Sequence, residues 1–311
     1  MSDKNKPIGY ECRFSVFCQS KDTNDDIHLV KEIAHYEDGT REPKVRLIKN
    51  YQRTFGVTKK GMQNHKEKKE REFLSNLNLY KSTQSNLLQS ASRALGQPWF
   101  RGTMRELQNS PYLYGTDISS TALIKQYYLD KFPDLKSPYS VAVIDTETSM
   151  VDGTIIMASL TYKGRAFQAI RKDFLQGYPH ADLQVKELAL SVYLKELLEK
   201  RKVNLEVILV DEEIDIVKTV MAKAHEWKPD FLTVWNILFD MEKIQNACKR
   251  ANVKIEDVMC DPSVPEEYRF FKFDIGPGQK TTSSGVVHNF KPAQRWHTVY
   301  CPSSFYWIDA M

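Results

Sequence analysis

The pattern of apolar and polar positions changes period several times along this chain. Residues 11–18 (ECRFSVFC) and 44–48 (KVRLI) alternate as half-buried strands do, and Asp38-Gly39 centres a turn over 36–40. Residues 66–79 begin in a Lys/Glu run and continue through Phe73, Leu74, Leu77 and Leu79, a spacing that predicts a helix. Two further helices are predicted over 85–95, ended by Gly96 and Pro98, and over 121–132. The second has Leu123, Ile124, Tyr127, Tyr128 and Leu129 on its apolar side. Trp99, Phe100, Tyr112, Leu113 and Tyr114 are expected in a core. Pro133 and Pro138 mark a linker.

Beyond the linker the pattern becomes regular. Val141-Ala142-Val143-Ile144 is apolar at every position, as a buried strand is, and it runs into Asp145-Thr146-Glu147-Thr148. A hairpin follows over 154–161 and 166–170, turning at Lys163-Gly164. A helix over 182–200 has Val185, Leu188, Val192 and Leu198 apolar, and 205–210 is a strand. Asp211 is a plausible N-cap for a helix carrying Ile214, Val217, Met221 and Ala224, stopped by Pro229. Residues 231–235 form another buried strand, and Asn236 to Asp240 open a helix to about residue 251. Residues 260–300 are irregular, and 304–309 is a last strand. The fold class is therefore α/β: a small mixed α+β domain over 1–138, then a domain over 139–311. The order of elements in the second resembles an RNase H-like fold.

Composition narrows the function. With 41% hydrophobic residues the 311-residue chain can build sizeable cores, and no apolar run reaches the length of a membrane span. The first residues, MSDKNKPIGYE, are not a signal peptide, and five scattered cysteines suit reduced thiols, so a cytoplasmic setting is expected. The net charge of +4 is uneven: residues 41–72 hold eleven Lys/Arg against four Asp/Glu. That stretch interleaves Lys59, Lys60 and Arg53 with Tyr51, Phe55 and amides, a mixture suited to single-stranded nucleic acid. A solvated, charged helix would carry the same run.

The candidate chemistry lies at two strand ends. Asp145 and Glu147 are two apart, so they share one face of their strand. Paired carboxylates repel, and a hard divalent ion such as Mg²⁺ or Mn²⁺ relieves that. A solvated loop can hold such a pair as well. The second stretch is Asn236-Ile237-Leu238-Phe239-Asp240, where a strand delivers Asn236 to its carboxyl end and a helix presents Asp240. Both residues can equally serve as helix caps.

Together these stretches resemble the first two motifs of DEDD-type 3′→5′ exonucleases: Asp-x-Glu on a strand, then Asn-x(2–3)-Phe/Tyr-Asp. The flanking WNILFDMEKI and DEEIDIVKTVMAKAHEWKPDFLTVWN resemble the exonuclease region of phage-type family B DNA polymerases. The resemblance implies proofreading hydrolysis with two Mg²⁺ or Mn²⁺ ions held by Asp145, Glu147 and Asp240. It also implies that Asn236, Phe239 and, more weakly, Thr148 contact the strand end. The third motif, Tyr-x-x-x-Asp, is missing, and Asp309 in FYWID is the nearest approach. Polymerase palm motifs are missing too. The implied partners are DNA, especially single-stranded 3′ ends, and a second polypeptide carrying the third motif and the palm, fingers and thumb. The alternative is a non-catalytic assembly or DNA-binding subunit of a replicative polymerase.

Overall fold

The computed structural model describes residues 6–175 and 195–311. The chain divides into two compact units, one of residues 1–136 and 265–268, the other of 137–264 and 269–311.

The first unit holds two small sheets. Strands β1 (Gly9–Gln19), β2 (Asp26–His35) and β3 (Arg41–Lys49) form an antiparallel meander. Strands β4 (Arg53–Thr58), β5 (Leu77–Ser82) and β6 (Leu113–Tyr114) form the other sheet, with β4 central. Helices α1 (Leu87–Ala94) and α2 (Met104–Leu107) pack Leu87, Ala91 and Leu107 on Phe55, Val57 and Leu113. Helix α3 (Ser120–Lys131) packs Ile124 and Tyr128 on Cys12 and Val30. Ser119 caps α3, its hydroxyl accepting from Ala122 N.

Residues 66–79 are not helical: the chain makes a single 3-10 turn at Leu74–Asn76 and then enters β5. Phe73 and Leu74 are exposed, so a helix there would have no core face to bury. Trp99 is 89% exposed rather than packed in a core, and Tyr127 and Leu129 lie on the outer side of α3. Strand β2 is buried along its whole length despite Asp26, Lys31 and Glu32. The two carboxylates meet donors inside: Tyr128 donates to Glu32 (2.6 Å) and Ser85 N donates to Asp26 (2.9 Å).

The second unit is a mixed six-stranded α/β sheet. Its strands are β7 (Val141–Thr148), β8 (Ile155–Tyr162), β9 (Arg165–Arg171), β10 (Asn204–Val210), β11 (Phe231–Val234) and, after four short strands, β16 (Tyr306–Asp309). The order is β10-β9-β8-β7-β11-β16, and only β8 runs against its neighbours. The β8–β9 turn places Lys163 and Gly164 both at positive φ, as a two-residue hairpin requires. The short strands pair separately, β12 (Lys272–Asp274) with β15 (Thr298–Tyr300) and β13 (Gln279–Thr281) with β14 (Val287–Asn289).

Most of the predicted 182–200 helix lies outside the described residues; its end is α4 (Lys195–Arg201). Helix α5 (Glu213–Trp227) buries Ile216, Val217, Val220, Met221 and Ala224. Its N-cap is Glu212, not Asp211, with no side-chain cap bond. Lys228 turns left-handed at its end and Pro229 prevents continuation. Helix α6 (Ile237–Arg250) buries Ile237, Met241, Ile244, Ala247 and Cys248, and the short α7 (Ile255–Met259) follows.

One clamp sets the register of the strands that carry the acids. Asp230 Oδ2 accepts from Ser140 N (2.8 Å) and Ser140 Oγ (2.9 Å), and Phe231 N donates back to Ser140 O (3.0 Å). Tyr306 N donates to Asp230 O (3.0 Å), so β7, β11 and β16 start level. Strand β7 is not buried on both sides, as its apolar run suggested. Ala142, Ile144 and Thr146 face the helices' core, while Val141 (51%) and Val143 (47%) are exposed on the other face.

Candidate active site

Strands β7 and β11 pair only from Val141–Phe231 to Val143–Thr233. Beyond that point β7 continues beside β8 to Thr148, whereas β11 ends at Val234 and the chain turns into α6. The strands part at their carboxyl ends, the place where α/β sheets gather ligands. Strand alternation puts Asp145 and Glu147 together on the exposed face, opposite Ser159 and Met157 of β8. A register shift between Glu147 and Thr148 ends the regular ladder there, leaving Thr148 half-buried.

Trp235 is 70% exposed and lies past the strand, which ends one residue earlier than its sequence suggested. Asn236 then caps α6: its Oδ1 accepts from Phe239 N (3.2 Å). That bond and the buried Ile237 fix the first turn, which exposes Phe239 and buries Asp240. Asp240 Oδ1 accepts from the hydroxyl of Thr146 (2.6 Å), tying α6 to the underside of β7. Motif reasoning misses Thr146, although strand alternation carries a signal for it. The residue between two outward acids must point inward, towards whatever packs there.

Burial raises the pKa of Asp240; the Thr146 hydrogen bond opposes this and the charge of Asp145 adds to it. The first and second acidic stretches are thus brought within electrostatic reach. Asp309 meets the start of α6 through that helix's backbone. It ends β16, two strands from β7, and its Oδ1 accepts from Ile237 N (3.4 Å) and Met311 N (3.3 Å).

Among the described residues no three His, Cys, Asp or Glu side chains converge closely enough to hold an ion as they stand. The donor chemistry still fits a hard divalent cation: two carboxylates stand on the outer face of the carboxyl end of β7 and a third, buried on its inner face, has a raised pKa that positive charge would relieve. The sign of that shift sets a pH dependence. A carboxyl raised in the fold contributes stability below its unfolded pKa of about 4 and loses it as pH rises through the folded value. At neutral pH, Asp240→Asn should therefore hold or raise the metal-free melting temperature, since the amide oxygen can still accept from Thr146. A fall of several degrees would make Asp240 a structural group.

In the first unit, the basic stretch is partly spent on structure. Arg53 is buried and donates to Gln84 (2.7 Å) and Gly115 O (2.6 Å), and Phe55 belongs to the core, so neither can meet a nucleic acid. Lys59 donates to Ser75 O (2.6 Å), Lys69 pairs with Glu72 (2.9 Å) and Lys68 stands 5.5 Å over the Tyr114 ring. Lys60, Lys66 and Arg71 are exposed, with no ion pair among the described residues. Phe73 and Tyr80 offer exposed rings on the same stretch.

Compared with protein-family models and with curated proteins, the chain matched none.

Proposed function

We propose that the second unit is an RNase H-like 3′→5′ exonuclease module of the kind that accompanies a family B DNA polymerase, acting on single-stranded 3′ ends. The juxtaposition that carries this is Asp145 and Glu147 on one face of β7 with Asp240 in the first turn of α6, where β7 and β11 part. The strand order, with β8 alone reversed, supports the RNase H-like assignment.

In the reaction, a water oxygen joins the terminal phosphorus and the bond to the preceding O3′ breaks. A nucleoside 5′-monophosphate leaves and the new 3′ oxygen takes a proton. Two Mg²⁺ or Mn²⁺ ions held by Asp145, Glu147 and Asp240 would supply an activated water and positive charge at the leaving oxygen. Asn236 fixes the turn that presents Asp240. Phe239, 41% exposed, offers a ring to the terminal base, and Thr148 a hydroxyl at the end of β7. A fourth acid would come from a second polypeptide that also carries the polymerase body. The five cysteines are free thiols, which suits the cytoplasm; among the described residues no helix is long and apolar enough to cross a membrane.

Digestion of a 5′-labelled single strand with Mn²⁺, with and without the second polypeptide, tests this. The expected product is a ladder shortened one nucleotide at a time from the 3′ end. Internal cuts would sink the exonuclease assignment. A second reading, a DNA-binding or assembly subunit without catalysis, is favoured by one observation: Asp309 is turned to backbone amides instead of the acids. That subunit would bind the strand and leave it intact.

DNA binding by the first unit is tested separately. Charge reversal at Lys60, Lys66 and Arg71 leaves the surface contacts of Lys59, Lys68 and Lys69 in place. It should weaken binding to all sequences alike and lower the slope of log K against log salt by about 0.7 for each phosphate no longer neutralised. Unchanged affinity at low salt would return the stretch to a solvated surface.

A further inference from the structure

We propose that Lys243, one helical turn beyond Asp240 on α6, is a positioning residue that takes a backbone phosphate of the bound strand. This rests on the nuclease reading of the carboxylates, which by itself explains only how the acids are arranged. Carboxylates repel a polyanion, and a cation near them is what brings the phosphate in.

Lys243 has the right place for this. It follows Asp240 by three residues and Phe239 by four, so it shares their face of α6 one turn on. Its Nζ stands 5.0 Å from the centre of the Phe239 ring. It also lies against the turn between β7 and β8: a Cβ built on Gly153 would be 3.1 Å from Nζ. Gly153 has φ +67, so the turn both needs glycine and leaves room for the ammonium.

The turn is held firmly. Ser149 N donates to Thr154 O (2.8 Å) and Gly153 N to Ser149 O (2.9 Å). The nearby Asp152 is committed to Thr154, accepting from its N (3.1 Å) and Oγ1 (2.8 Å). No ion pair engages Lys243 among the described residues. The half-buried Lys243 thus has its ammonium between a ring and a braced turn, one helical turn on from Asp240. The ring and the turn narrow the positions it can take before any ligand arrives, which lowers the ordering cost of binding. A lysine that served only to cover the Phe239 ring would leave binding of a strand unchanged.

The test uses the full chain, with Lys243→Gln and Lys243→Arg, and a 5′-fluorescein (dT)12 probe. With Mn²⁺, Lys243→Gln should raise KM about tenfold, the loss of one charge-assisted hydrogen bond, with most of the effect in KM rather than kcat. Lys243→Arg should recover most of it. Anisotropy in EDTA on an Asp145→Ala background gives a second readout that needs no activity. There, Lys243→Gln should weaken binding and lower the salt slope by about 0.7. Equal KM and equal salt slopes for Lys243→Gln and its parent would overturn the proposal even if the strand is digested normally. A lowered slope without any digestion would keep Lys243 as a phosphate contact and reject the nuclease.

Discussion

Asp145→Ala is expected to remove Mn²⁺-dependent shortening of a single strand by on the order of a thousandfold or more, about 4 kcal/mol of barrier. Glu147→Ala should match it. Both side chains lie on the exposed face of β7 and make no contact that the core needs, because Ala142, Ile144 and Thr146 supply the buried side of that strand. Urea midpoints should therefore stay near the parent's in EDTA. For Asp145→Ala the reason is also electrostatic, since its charge adds to the raised pKa of Asp240. A midpoint that falls with activity would show that the acids hold the sheet edge rather than a ligand.

Glu213→Ala is expected to cost the second unit about 2–3 kcal/mol. Glu213 opens α5 and is nearly buried; its Oε1 accepts from Ile155 N at the start of β8 (2.7 Å), and its Oε2 accepts from Arg250 Nε near the end of α6 (2.8 Å). Removing the carboxylate orphans a buried amide and releases the helix that carries Asp240. The Arg250 pair contributes the smaller share, because that guanidinium side chain is substantially exposed. Glu213→Gln, which keeps an acceptor for Ile155 N, should cost clearly less. Denaturation of the second unit with an unchanged m-value checks this; a shift below about 0.5 kcal/mol would put Glu213 among ordinary surface residues.

The elements legible from the chain are those whose burial follows local periodicity. The hairpin at Lys163-Gly164, α5, α6, β10 and β16 all read this way, because apolar residues fill their inner positions and turn residues bound them. Strand β2 could not be read, since Asp26, Lys31 and Glu32 occupy positions that are buried only because distant side chains meet some of their charges. The stretch 66–79 failed for the opposite reason: Phe73 and Leu74 stand at helical spacing from Leu77 but have nothing to pack on. At the candidate site, the shared face of Asp145 and Glu147 follows from a period of two. The meeting of Asp240 with Thr146 does not, because it depends on the register that Ser140 and Asp230 impose 90 residues apart in sequence.

The central claim is that Asp145, Glu147 and Asp240 together hold divalent metal. Electron paramagnetic resonance of free Mn²⁺ titrated into the full chain measures this without requiring turnover. The expected result is saturable Mn²⁺ uptake by the parent, lost or weakened at least tenfold in Asp145→Ala, Glu147→Ala and Asp240→Asn alike. Uptake that is the same in all four proteins, or absent from the parent, would contradict it.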